Sequence, residues 1–154
     1  MRLLLAFLLV NFTNIGSLDR PKVEDVRISF HKASSSEKEC RALIDLLQPY
    51  HEMNSPLLFG YKAGATMLMA KHLFNPFSKL SYFKKGVKML EKAIHHDQKN
   101  IELRFLRYTI QTNVPSFLNY SKDKDMDRAF LLSSINTLKD PELKKIINAY
   151  LSKK

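Results

Sequence analysis

Apolar residues recur every three to four positions along most of this chain, and clusters of Pro, Ser and Asn interrupt them, which predicts a succession of helices. Val23 to Ala33 fits two periods: Val23, Val26, Phe30 and Ala33 share a helical face, whereas Val26, Ile28 and Phe30 alternate as in a strand. No partner strand is evident elsewhere, so helix is expected. Ser34 with Glu37, and Ser36 with Glu39, have capping-box spacing and open a helix to about Gln48, which Pro49 ends. The segment from Ser55 or Pro56 to Leu73 is crowded with small residues, Gly60, Ala63, Gly64, Ala65 and Ala70, and is expected to be the central and most buried helix. Gly60 and Gly64 form a GxxxG pair, but the lysines in this segment argue for close packing inside a bundle rather than in lipid.

From Ser78 to His96, Phe83, Gly86, Val87, Leu90, Ala93 and Ile94 make one apolar stripe, and Lys84, Lys85, Lys88, Lys92 and His95, with Glu91 among them, lie opposite as a basic face. Ile101 to Asn113 has two apolar sides, one with Leu103, Leu106, Ile110 and Val114 and the other with Ile101, Phe105 and Tyr108. It must be sandwiched between neighbours. Phe117, Leu118 and Tyr120 in the following loop are expected to fold back onto the core. A helix from Asp123 to about Leu138, with acidic residues in its first turn, and a last one from Pro141 to Leu151 complete the pattern.

This is an all-α reading: six to seven helices paired as antiparallel hairpins in one body spanning residues 18–154. The 154 residues, 45% of them hydrophobic, are enough for one domain with its own core. Residues 1–17 read as a secretory signal peptide, with Arg2, the apolar run Leu3 to Val10 and small residues near Ser17. That run is too short to span a bilayer, so an exported protein is expected, periplasmic or secreted, with no transmembrane segment once the leader is removed. The chain carries 25 Lys and Arg against 15 Asp and Glu, a formal charge of +10, and removing the leader with Arg2 leaves +10 − 1 = +9. Cys40 is alone, so it makes no internal disulfide, and its place beside Leu43, Ile44 and Leu47 suits a buried apolar residue.

Gly86, Leu90 and Ala93, followed by His96 to Asn100, resemble the second helix and closing turn of a tetratricopeptide repeat, with Gly60, Tyr61 and Ala63 to Ala70 in the first helix. The resemblance implies stacked helical hairpins that bind a peptide or protein segment. A second repeat is not visible, so a compact bundle of repeat-like character is expected. The leader together with segments 75–94 and 100–120 also resembles small exported proteins of Bacteroidota, a likeness that implies export and no particular activity.

Motifs for chemistry are sparse. No HExxH, P-loop, GxSxG or dinucleotide turn occurs, no cofactor is implied and no catalytic residue is nominated. Asp123, Asp125 and Asp127 imitate the start of a calcium loop, but Arg128 and Ser134 stand where its glycine and closing glutamate belong. Glu91 and His95 could share an ion at i, i+4, though a solvated helix end explains them better, and with Glu102 they define no reaction. Arg104, Arg107 and Gln111 line one ridge, and two roles are open to it: a binding ridge for an acidic peptide, assisted by Tyr61 and Tyr108, or a brace paired to carboxylates of neighbouring helices. The leading expectation is therefore a noncatalytic scaffold for a protein or peptide partner. The alternative is binding to an anionic surface, lipid headgroup or nucleic acid, through Lys84, Lys85, Lys88 and Lys92, with nucleic acid disfavoured by the lack of an aromatic-studded basic motif.

Overall fold

A computed structural model describes residues 19–153, so the expected leader lies outside the described residues. Those residues fold into seven α-helices: α1 (Val23–Ala33), α2 (Glu37–Leu46), α3 (Pro56–His72), α4 (Pro76–His96), α5 (Ile101–Asn113), α6 (Lys124–Ser134) and α7 (Pro141–Leu151). Short 3-10 turns follow α5 at Ser116–Leu118 and α6 at Ile135–Thr137. The ambiguous first segment is a helix. α1, α5 and α7 keep the bounds that periodicity and punctuation predict.

Local caps explain the differences elsewhere. Ser36 caps α2 by accepting from the Glu39 amide at 3.3 Å, whereas Ser34 closes α1, its hydroxyl donating to the His31 carbonyl at 2.7 Å. α4 starts at Pro76, two residues before Ser78, because the Asn75 side chain accepts from the amides of Phe77 and Ser78 at 2.8 and 3.2 Å. The turn from α3 into α4 is thus only residues 73–75. The α6 segment tightens to a 3-10 turn after Ser134 instead of staying α-helical to Leu138.

Two helices organise the packing. In α3 every residue from Leu58 to Met67 is buried, as its all-round apolar and small composition demands. One side packs on α1 and α2 through Val26, Ala33, Cys40, Leu43, Leu47, Leu58, Ala65 and Met69. The other packs on α4 and α5 through Phe59, Ala63, Met67, Phe83, Leu90, Leu103 and Leu106. The α3–α4 hairpin is antiparallel and close: a methyl group on Gly86 would sit 2.7 Å from the Ala63 carbonyl oxygen and would meet Met67 as well. A methyl group on Gly64 would likewise meet Phe30 of α1 and Leu106 of α5, so the GxxxG pair serves interior packing.

α5 is the second organiser. Leu103 and Leu106 face the α3–α4 core, and Ile101, Phe105 and Tyr108 face a third cluster with Leu131, Ile135, Leu143, Ile147 and Leu151. Both apolar sides are covered, which is what its two opposed stripes require. In the loop beyond, Tyr120 is buried and Leu118 packs against the core, but Phe117 does not fold back: it is 82% exposed, because the 3-10 turn carries its ring outward. Cys40 is buried with its thiol donating to the Ala65 carbonyl at 3.2 Å, and burial pushes that thiol up to about 11.

Candidate anion-binding face

The two charged surfaces singled out from the sequence have opposite fates. The strip on α5 points inward. Asp127 of α6 has no solvent exposure, and Arg107 grips it with both ends of its fork, Nε to Oδ2 at 2.7 Å and Nη2 to Oδ1 at 2.8 Å. Arg104 donates to the same carboxylate and lays its guanidinium over the Phe130 ring, 4.7 Å from the centroid. Arg107 also donates to Glu91 at 2.8 Å and lies 3.5 Å from Asp123, while the Tyr120 hydroxyl donates to Glu91 at 2.6 Å. Burial pulls the Arg107 guanidinium down, and the Asp127 bond with the charges of Asp127, Glu91 and Asp123 outweighs it, leaving a net upward shift. Gln111 is buried too, its amide donating to Asp123 at 3.5 Å and its Oε1 lacking any hydrogen-bond partner.

The aromatic members of that strip are equally internal. The Tyr61 hydroxyl donates to Glu102 at 2.5 Å, Arg27 of α1 clasps the same carboxylate at 2.6 and 2.8 Å, and Arg27 reaches Asp140 at 2.8 Å. Burial, then the adjacent Glu102 charge, pushes the Tyr61 phenol well above its ordinary range. Tyr108 stacks edge-on with Tyr150, centroids 5.9 Å apart. The arginines of α5 thus have the bracing geometry: they tie α5 to α4 and α6, and Glu102 ties it to α1 and α3. From the sequence Asp127 reads as an acidic residue in a helical first turn and as part of an incomplete calcium-loop pattern, not as the main partner of these arginines.

The α4 face is the reverse case. Lys84, Lys85, Lys88 and Lys92 are all exposed, their spacing placing them on successive turns of one side. With Ser81 they rim a groove of about 430 Å³ whose apolar wall is Phe59 and Met89. Beneath lies Lys62, its ammonium donating to the carbonyls of Gln48 and Tyr50 and sitting 5.1 Å from the Phe59 ring centroid. Burial, and then the positive charge of Lys85, lower the Lys62 ammonium below its ordinary range.

Counter-charge is nearly missing. Lys92 approaches Glu52 at 3.7 Å in an open setting where such a pair is weak. Among the described residues no carboxylate comes within ion-pair distance of Lys84, Lys85 or Lys88. Glu91 rotates toward Arg107 and Tyr120 instead of neutralising the face. Glu91, His95 and Glu102 do not converge: the Glu91 carboxylate is taken by Arg107 and Tyr120, and Glu102 is clasped by Arg27. Among the described residues, no three His, Cys, Asp or Glu side chains assemble into a metal-holding group. Compared with known proteins, the chain matches no family model, no curated protein and no solved structure.

Proposed function

We propose that this chain is a noncatalytic helical binding module that captures an anionic partner on the lysine face of α4. One observation carries the reading: Lys84, Lys85 and Lys88 crowd one groove with no carboxylate among the described residues within ion-pair distance of them, so an incoming anion would relieve their mutual repulsion. Phe59 and Met89 add an apolar wall that favours a ligand with hydrophobic as well as charged groups. The arginine strip of α5 is the weaker candidate, since an acidic peptide would have to displace the fully buried Asp127 at a cost of several kcal/mol, and Glu91 and Asp123 besides. With residues 1–17 read as a leader, the module would work in the periplasm or outside the cell.

The test must separate a local site from net charge. Lys84→Gln, Lys85→Gln, Lys88→Gln and Lys92→Gln combined should weaken binding to heparin far more than the same number of charges removed from the exposed Lys38, Lys99, Lys139 and Lys145. Affinity should also fall steeply with salt in the parent chain and less so in the α4 variant. Equal losses from the two charge-matched variants would refute the assignment.

A further inference from the structure

At the start of α4 the basic face continues into an apolar tip that the fold leaves bare. Phe74 is 99% exposed and Phe77 82% exposed, and Leu80, one turn on, is exposed as well. Isolated apolar residues on a surface are ordinary, but two nearly naked phenylalanines and a leucine within seven residues form a patch that calls for a partner. Helical geometry aligns this tip with the lysines: Phe77 and Lys84 are two turns apart, and Lys88 lies a further turn along almost the same line. Of the other exposed lysines close in sequence, Lys71 donates its ammonium to the Ser34 carbonyl at 3.1 Å, and Lys79 falls on the opposite side of α4 from Phe77. The charge pattern agrees, since the 38 residues between Glu52 and Glu91 contain six lysines and no Asp or Glu.

Building on the anion-binding reading of the α4 face, we propose that its partner is the surface of an anionic lipid bilayer, with Phe74, Phe77 and Leu80 entering the interfacial layer and Lys84, Lys85 and Lys88 meeting the headgroups. Amphipathic surfaces of this composition dock by burying apolar side chains at the acyl boundary while their cations stay among the phosphates. Lysine suits that position because its long apolar stem lies along the tip while the ammonium reaches outward. A single-stranded nucleic acid fits less well, because its binding sites interleave aromatics along the basic track, and here the exposed rings sit together at one end. The association is peripheral: among the described residues no helix is long and apolar enough to cross a membrane.

The chain has no Trp, so Phe77→Trp introduces a single indole reporter at the tip. On vesicles of phosphatidylcholine with phosphatidylglycerol, its emission should shift to the blue and be quenched by brominated acyl chains. On phosphatidylcholine alone it should not. Phe74→Ser with Phe77→Ser should lower vesicle co-sedimentation about tenfold while leaving heparin retention unchanged. Lys84→Gln, Lys85→Gln and Lys88→Gln combined should weaken vesicle binding on the order of a hundredfold. An indole that stays unshifted and unquenched, or vesicle binding indifferent to the phenylalanine pair, would overturn the lipid assignment even with lysine-dependent heparin binding intact. If instead the lysine variant holds heparin and vesicles as tightly as the parent, the anion-binding reading falls and takes the lipid assignment with it. Tight capture of a single-stranded oligonucleotide that depends on both phenylalanines would likewise replace the bilayer by nucleic acid.

Discussion

The α5 arginines and the α4 lysines carry the same sign of charge and lie on adjacent helices, yet one set is enclosed and the other is bare. Arg107 is 4% exposed and pairs with three carboxylates, Glu91, Asp123 and Asp127, whereas among the described residues Lys84, Lys85 and Lys88 pair with none. The difference follows from chemistry. A planar guanidinium keeps its charge when buried and matches a carboxylate fork to fork, so arginine suits an internal brace. An ammonium is strongly hydrated and flexible, and a row of them without counter-charge is stable only where water, or an anionic partner, can reach it. A positive strip in a sequence therefore becomes a candidate binding surface only once its internal carboxylates have been counted.

Breaking the enclosed side should have the largest consequence. Asp127→Ala leaves Arg104 and Arg107 buried without their carboxylate, and urea denaturation should show a loss of about 3–5 kcal/mol. If stability falls by less than the scatter of the measurement, the brace is not structural. Gly86→Ala drives a methyl against the Ala63 carbonyl in the hairpin that carries the lysine face, with an expected cost of about 1–3 kcal/mol in the same titration. Tyr61→Phe removes one donor from Glu102 while Arg27 keeps its two bonds, so about 1 kcal/mol should be lost. The bare side should be nearly silent by this measure. Lys84→Gln, Lys85→Gln and Lys88→Gln together should change stability by no more than about 0.5 kcal/mol while anion binding collapses, and a thermal shift as large as that of Asp127→Ala would erase the contrast between the two surfaces.

Most of the architecture was legible because its determinants are local. α1, α5 and α7 follow their apolar periods between Pro, Ser and Asn, and the two opposed stripes of α5 foretold its position between layers. The start of α4 was misread by two residues because Asn75-Pro76 looks like a linker, while its asparagine actually folds over the following amides. The lysine face was legible for the same reason as the stripes, since exposure follows from the helical period once the buried side is known. The fate of Arg104 and Arg107 was not, because their carboxylate lies 23 and 20 residues away on another helix and only tertiary packing brings it to them. Nor did the period foretell the bare tip. Phe77 falls at an end of α4 where no neighbouring helix reaches it, and Phe117 is carried off the core by the 3-10 turn that holds it.

The attachment of α7 has a consequence for how the molecule breathes. Leu143, Ile147 and Leu151 dock beside Tyr108, and Tyr150 reaches Phe105 and Tyr108 edge-on while its hydroxyl meets Thr112 and Asn113, so long side chains hold this helix to the body. Because the α7 backbone stays farther from its neighbours than the α3 and α4 backbones stay from each other, amide exchange should be faster in α7 than in the α3–α4 hairpin, and a protease added under native conditions should cut in the stretch between α6 and α7 before it cuts between α3 and α4. Each such excursion would unveil Phe105 and Tyr108, making the carboxyl-terminal helix a detachable cover for the outer flank of α5.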